Sequence, residues 1–439
     1  MLNKAEAKAL IQTATSLTKC HAVAVISINE DGTTRFANSE ISQNVIITDA
    51  SMSLTLYDGK KQATCSTNDL TPMGIEQLVK NAEEMLKFVP EGAFGAFPLS
   101  TENVTECISD GRFYPAFNVK NRAEYIKQGV ALLEPDFSAA GALTLTYTGL
   151  AIGDSTGGFR YANYEAISFN TVVSHTSGAD GAGECVSYTD IPDIVGCFKK
   201  AQDTARAALN PISPELGGFT VILSPSAFGD LVSFMTMMLS AKSVDDGVSF
   251  ARGKLGEKLF GENLNVRDDV MHNSLCPLPF DVEGNPRRVL SLVENGKISA
   301  FLYDNKTASK HGVEPTGHAV SSRFYSGAVP TNIVVDGGDM SLDEIIASTE
   351  KGIFINEFHY SNFVNARNLQ VTGLTRNGTF LIENGKLTKP ISTMRFTESL
   401  LDAFNSITAI SKERTKVDAM GLMLAPAARI ENFHFTSKP

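Results

Sequence analysis

Residues 224–242 read SPSAFGDLVSFMTMMLSAK, from Ser224 to Lys242, and follow the short apolar run 219–223. A buried strand that passes straight into a helix is the unit on which many α/β enzymes carry their chemistry. Here the centre of the helix, Leu231 to Leu239, holds no ionisable side chain. What a nearly inert helix does in such a place is the question the rest of the chain has to answer.

Upstream, Pro211, Pro214, Gly217 and Gly218 end the preceding helical pattern. The segment 210–218 is therefore the expected domain boundary. It separates an N-terminal α+β domain, 1–212, from a C-terminal β-rich α+β domain, 213–439, that carries the inert helix; 439 residues are too many for one compact core and suit two. Downstream, LSLVENGKISAFL (290–302) and FLIENGKLTKPI (380–391) each set Asn-Gly between apolar runs. A type I′ turn needs positive φ at both central residues, so each run is read as a hairpin, and the shared ENGK as the same favoured turn used twice. Within 331–355, Ser341 and Glu344 form a capping box at the start of a helix, and 424–437 reads as a closing strand.

The first half alternates the two periodicities. Leu2, Leu10, Ala14 and Leu17 lie among Lys and Glu, an amphipathic helix rather than a signal peptide's continuous apolar core. Extended runs are expected at 21–29, 43–48 and 51–57. A helix starts at Thr71-Pro72 with Ile75, Leu78, Val79, Ala82, Met85, Leu86 and Val89 on one face. A further helix covers 120–133, strands cover 142–152, 159–174 and 184–189, and the last helix puts Ile194, Phe198, Ala201, Ala205 and Ala208 together.

Composition narrows the function. Thirty-eight basic against 49 acidic residues give a formal charge of -11, which opposes non-specific attraction to DNA or anionic lipid. Direct nucleic-acid binding is not expected. No apolar run approaches the ~20 residues that span a bilayer, so no membrane role is expected either. The six cysteines are scattered without a C-x-x-C pair, a pattern of reduced, partly buried thiols that places the chain in the cytoplasm.

Gly153–Gly157, GDSTG, matches the G-x-S-x-G nucleophile elbow, but its continuation alternates like a strand where the elbow requires a helix. It is read as a hairpin turn and not as a setting for Ser155 as nucleophile. No H-E-x-x-H, Walker-A or Rossmann glycine pattern is present. His272 and Cys276 are four apart in a Pro-rich, irregular segment. His311 and His318 flank a Gly/Pro turn and could meet in space. Asp268, Asp269, Asp281 and Glu283 are an acidic set suited to hard metals or acid/base work. The turn FDVEGNPRR (280–288) also allows the blander reading, carboxylates that are exposed or paired with Arg287 and Arg288.

As a whole the chain resembles the TldD/PmbA family, often labelled modulator of DNA gyrase and understood as zinc-dependent peptidase components. The resemblance is carried by RFANSEISQN (35–44), STNDLT (66–71), FTVILSPSAFGDLV (219–232), FDVEGNPRR (280–288), VENGKISAFLYDNKTASKHGVEPTGHAVSSR (293–323), PTNIVVDGGDMSLDEIIASTEKGIFI (330–355) and GTFLIENGKLTKPI (378–391), in that order along nearly the full chain. It implies a two-domain α+β architecture of mixed sheets and packed helices, a dimer, and a chamber in which unfolded peptide is cleaved. The family's catalytic branch carries H-E-x-x-x-H on the helix after the strand 219–223. Aligned on VILSP and Gly229, that motif falls on residues 233–238, so Ser233 and Met238 stand at the two histidines and Phe234 at the glutamate. The family's late cysteine ligand is missing too, since no Cys follows Cys276. Zinc catalysis needs three protein ligands, an activated water and a base for its proton.

The resemblance therefore implies the PmbA/TldE branch: a subunit with no cofactor of its own, homodimeric when alone, that shapes the peptide chamber of a TldD-like catalytic subunit holding the zinc. Two alternatives stay open. One is an independent peptidase with a relocated metal site at His311, His318, Asp281 and Glu283. The other is a regulatory factor that docks on another macromolecule such as gyrase.

Overall fold

The computed structural model describes residues 2–213, 215–321, 326–419 and 421–438. Pro214, one of the expected helix stops, and Ser322 and Arg323, at the end of a family-like stretch, lie outside them.

The first half is an antiparallel sheet with helices on it. α1 (Lys4–Ser16) is capped by Asn3, whose side chain accepts from Ala5 N and Glu6 N while Glu6 returns a bond to the Asn3 amide. β1 (His21–Ala37), β2 (Glu40–Asp58) and β3 (Lys61–Thr67) follow, then α2 (Pro72–Phe88), with the Thr71 hydroxyl accepting from Gly74 N as the sequence predicts. α3 (Phe113–Ala116) and α4 (Val119–Val130) lead into β4 (Phe137–Asp154), β5 (Phe159–His175), β6 (Asp180–Ser187) and α5 (Ile194–Ala207). The six strands lie in the order β3-β2-β1-β4-β5-β6.

Two expectations are corrected. The runs 43–48 and 51–57 are one 19-residue strand, β2, paired with β1 along its whole length. Its outer edge meets β3 only from Met52 onward, so the preceding residues are free to be polar and the apolar alternation lapses without a break in the backbone. On α2, Met85 is exposed; the buried stripe is Ile75, Leu78, Val79, Ala82 and Leu86.

The second half begins with β7 (Gly217–Leu223), α6 (Pro225–Met237) and α7 (Ala241–Asp245). Next come β8 (Val266–Asp268), the hairpin β9 (Leu290–Glu294) and β10 (Lys297–Ile298), α8 (Asn305–His311), β11 (Ala319–Ser321), β12 (Ser326–Ala328), β13 (Asn332–Val335) and α9 (Leu342–Ala347). β14 (Lys351–Asn365), β15 (Gln370–Glu383), β16 (Lys386–Pro390), β17 (Arg395–Ser399), α10 (Leu400–Asn405), β18 (Ile407–Asp418) and β19 (Leu422–Ser437) complete it. Both Asn-Gly turns form as read, with Asn295 and Gly296 at φ 49° and 73°, and Asn384 and Gly385 at 52° and 75°. Ser341 and Glu344 make the expected capping box.

The main sheet is mixed: β7 runs parallel to β14 and β13 parallel to β19, and the other pairings are antiparallel. Because β7 pairs with both β14 and β19, the run β19-β17-β15-β14-β7 closes on itself. Closure removes edges that would otherwise need covering. The overall class is α+β.

The strands of the six-stranded sheet lie within 21–187 and those of the main sheet within 217–437. The halves meet through apolar side chains. Leu99, Leu150, Ile152 and Ala162 pack with Phe280, and Val186 and Tyr188 pack on Leu275, Val334, Leu422 and Leu424. This contact explains why β4 loses its alternation at its end, where Gly149 to Asp154 are buried on both faces. Among the described residues no helix is long and apolar enough to cross a membrane.

Candidate functional site

α6 starts at Ser224, whose hydroxyl accepts from Ala227 N at 3.2 Å, with Pro225 in the first turn, where its missing N–H is not needed. Gly229 lets the helix lie close on β18: a Cβ there would stand 2.9 Å from Val417 Cγ2. Leu231, Val232, Phe234 and Met235 are all in the main core. A helix buried nearly all round has no wet face, which accounts for its lack of charge between Leu231 and Leu239.

The three positions singled out from the sequence are built into that core. Ser233 is 1% exposed, and its Oγ donates to the Asp230 carbonyl at 2.6 Å. Phe234 sets its ring edge-on to Phe363 of β14, centroids 4.8 Å apart at 88°. Met238, the C-cap, is half-buried against the same cluster. Zinc does not fit here: a spent hydroxyl, a packed phenyl and a thioether supply neither the imidazole pair nor a base.

The N-terminal turns of the same helix are different. Ser226, Asp230 and Ser233 follow one another at the four- and three-residue spacing that keeps side chains on one face. Ser226 Oγ donates to Glu184 Oε1 of β6 at 3.1 Å, and Ser361 Oγ of β14 donates to Asp230 Oδ2 at 2.5 Å. Glu357 of β14 accepts from Asn377 Nδ2 of β15 at 2.6 Å. Burial, then the charges of Glu357 and Asp418, push Glu184 up to about 7. Burial likewise raises Glu357 and Asp230. Three carboxylates from β6, α6 and β14 thus share one place between the two halves. None was marked in the sequence, because each sits alone in an ordinary strand or helix.

The acidic set that the sequence did mark is engaged in hydrogen bonds and ion pairs with its own surroundings. Asp281, expected to be exposed or paired with an arginine, is buried. It accepts backbone N–H groups from Glu283 (3.0 Å), Asn285 (2.9 Å) and Ala319 (2.9 Å). Glu283 accepts from Asn305 N at 2.8 Å, and burial with the nearby Asp281 and Asp304 charges pushes it up to about 8. Arg287 pairs with Asp268 at 2.9 Å, side chains 4% and 0% exposed, while Arg288 reaches Glu102 in solvent. His318 stands 3.3 Å from Asp268, and Thr331 N and Asn332 N donate to its other oxygen. Burial opposes ionisation of Asp268, but His318, Arg287 and the Asn332 amide outweigh it and hold the carboxyl well below its usual range. Asp269 pairs with Arg267 at 3.1 Å.

His311 is bound to Asp245 at 2.9 Å on α7, away from the partners that hold His318. The set His311, His318, Asp281 and Glu283 is therefore committed to separate contacts, and among the described residues no three or more His, Cys, Asp or Glu are placed to hold a metal ion. His272 bonds to Ser274 in its own turn. Ser155 lies in the β4–β5 turn, where its Oγ accepts from Ala22 N at 3.1 Å and stands 3.3 Å from His21 Nδ1; a strand, not a helix, follows. The six cysteines are unpaired; Cys197 is buried and the others are half-buried.

A family model described as PmbA/TldA metallopeptidase C-terminal domain matches residues 216–437, and one described as PmbA/TldA metallopeptidase domain 1 matches 22–86. An uncharacterized protein of Methanocaldococcus jannaschii is 28% identical over 271 residues, 59% of this chain and 60% of its own length. A Methanothermobacter thermautotrophicus protein named metalloprotease is 24% identical over 54% of this chain and 51% of its own. These matches span only about half to three-fifths of those relatives. Metalloprotease PmbA of Escherichia coli O157:H7 is 21% identical over 87% of this chain and 86% of its own. Among solved structures, TldE from Thermococcus kodakarensis superposes with a TM-score of 0.87 at 20% identity, covering 98% of this chain and 99% of that one. A Thermotoga maritima chain described as a candidate modulator of a DNA gyrase gives 0.86 at 20% identity, covering 99% and 100%.

Proposed function

Because the chain belongs to the TldD/PmbA metallopeptidase family, we propose that it is a non-metal subunit of the TldE kind, shaping a chamber for unfolded peptide beside a TldD-like partner that holds the zinc. The observation that carries this reading is the packing of α6. At the positions of the family's ligands and base, Ser233 is hydrogen-bonded to its own helix, Phe234 packs edge-on against Phe363 and Met238 lines the core. Burying histidine and glutamate in the same space without a metal would leave polar groups unpaired, so loss of the metal and repacking of the helix go together. A subunit released from catalysis keeps its value through its surfaces. We take it to be homodimeric when expressed alone and to work in a reducing compartment such as the cytoplasm, which suits its six unpaired cysteines.

Purified chain, dialysed against a weak chelator, is expected to hold less than about 0.1 zinc per chain by elemental analysis, where a complete site would hold one. It should not hydrolyse an unstructured peptide in a chelator-sensitive way, and mixing with a TldD-like chain should bring activity on or raise it. The triple variant S233H/F234E/M238H should stay inactive, since no late cysteine completes the ligand set. One tightly held zinc, or chelator-sensitive hydrolysis by the wild-type chain alone, refutes the proposal.

A further inference from the structure

The carboxylates at the start of α6 have a chemistry that the reading above leaves unused. Glu184, Asp230 and Glu357 come from three elements, and the charge of Glu357 acts on Glu184 and that of Asp230 on Glu357, beside the face of α6 that leads to Ser233. Their hydrogen bonds to Ser226, Ser361 and Asn377 engage one oxygen each. A second observation is independent of the acids. Asn377 is 8% exposed, its Nδ2 on Glu357 Oε2 turns the amide into the cluster, and its Oδ1 is buried with no partner. A buried amide oxygen without a donor is rare and expects one. Among the described residues the one orphaned buried atom of these side chains is thus an acceptor.

We propose that this cluster is a subsite for an ammonium or guanidinium group of an unfolded peptide, the cation lying among Glu184, Asp230, Glu357 and the Asn377 oxygen. The proposal rests on the chamber reading and names the kind of substrate group that the chamber would hold. A bare metal ion is the wrong occupant, because no three of these groups stand close enough to coordinate one. A multi-donor organic cation, which reaches several acceptors at once, suits the wider spacing. The resident charges around the cluster are Lys200 of α5, Asp418 of β18 and Arg376 of β15. Lys200 acts on Glu184 and Glu357 at a distance and makes no ion pair within 4.0 Å among the described residues. It lines a cavity of about 620 Å³ together with Thr204, Phe354, Asn356 and Phe380, to which none of the three carboxylates contributes.

Binding a cation here should release protons, because Glu184 is held partly protonated near neutrality and a positive charge favours its ionised form. Affinity for a cationic peptide should therefore rise with pH through about 7 and level off above 8, with salt weakening it.

The test uses the full chain and four dye-labelled unstructured peptides in fluorescence anisotropy: acetylated with three lysines, lysine-free with a free N-terminus, acetylated and neutral, and acetylated with three glutamates. The lysine peptide, the free-amine peptide or both should bind about tenfold more tightly than the neutral one; which of them does so identifies side chain or terminus as the source of the cation. The isosteric E184Q/E357Q double variant should bring that ratio within about twofold. Should the variant fold poorly, calorimetry of the wild-type chain with the better-binding peptide, in two buffers of different ionisation enthalpy, should show net proton release. Equal binding of neutral and cationic peptides, a ratio unchanged in the double variant, or no proton release overturns the cation subsite. If none of the four peptides binds, the chamber reading falls with it; zinc-dependent hydrolysis by the chain alone would break that reading without touching the subsite.

Discussion

Two groups of carboxylates, one fully buried and one half-buried, lie where the halves of this molecule come together, and they are treated in opposite ways. Asp268 accepts from the Arg287 guanidinium and two backbone N–H groups, with the His318 ring 3.3 Å away. It stays ionised although fully buried. Glu184, Asp230 and Glu357 receive one neutral donor each, so burial prevails and their acids are weakened. The first cluster is balanced in charge, Arg287 being paired with Asp268, whereas among the described residues the second has no cation within ion-pair distance. The contrast also runs along a single helix, since α6 is polar where it meets the second cluster and holds no ionisable side chain from Leu231 onward.

The comparison breaks most visibly at Asp268. Replacing it with Ala leaves Arg287 charged, buried and uncompensated, and should lower stability by about 3–5 kcal/mol. Urea unfolding followed by circular dichroism measures it; a loss below ~1 kcal/mol would mean that the cluster is wetter than the fold indicates.

The pH dependence of stability sharpens the contrast, because the two groups carry opposite signs. Asp268 is depressed in the folded state, so its contribution is complete above its unfolded value and fades as pH falls below about 4. Glu184 and Glu283 are raised to about 7 and about 8, so the folded chain holds more protons than the unfolded chain above about 4.5. Stability should fall between pH 5 and about 8 and flatten beyond. With allowance for the half-burial of Glu184, E184Q at pH 8.5 should recover on the order of 1 kcal/mol and recover only a small part of that at pH 5. Parallel curves for wild type and variant would refute the assignment.

The smallest effect belongs to Arg288, next in sequence to Arg287 but paired with Glu102 where both side chains are 54% exposed. R288A should change the unfolding midpoint by no more than about 0.5 kcal/mol. A large loss there would put the balance of the junction in the wrong arginine.

Local signals carried the elements and the turns: Thr71-Pro72, Ser341 with Glu344, and both Asn-Gly hairpins form as their residue chemistry requires. The inert helix was legible by what it lacks. Partnerships across the sheet were not. FDVEGNPRR contains the right charges, but nothing in it says that Arg287 turns inward to Asp268 and Arg288 outward to Glu102. Glu184, Asp230 and Glu357 are brought together only when β6, α6 and β14 meet, and a group assembled from three distant elements leaves no spacing to read. The burial of Asp281 escaped for the same reason: the backbone it binds includes Ala319, far along the chain.

The connection between the halves is more than a linker. Ile212 donates its amide to Pro390 at 2.9 Å and accepts from Ser392 N at 3.0 Å, forming a parallel bridge with Ile391 just past β16. Both hydrogen-bonding groups of that residue are engaged by the second half. Any hinge between the halves is thereby displaced upstream, to the turn after α5, where Asn210 already holds a left-handed φ of 58°. The second half thus carries its own clasp on the incoming chain. A limited-proteolysis fragment cut ahead of Ile212 would keep that clasp, whereas one cut behind it would lose a strand-like contact along with the covalent tether.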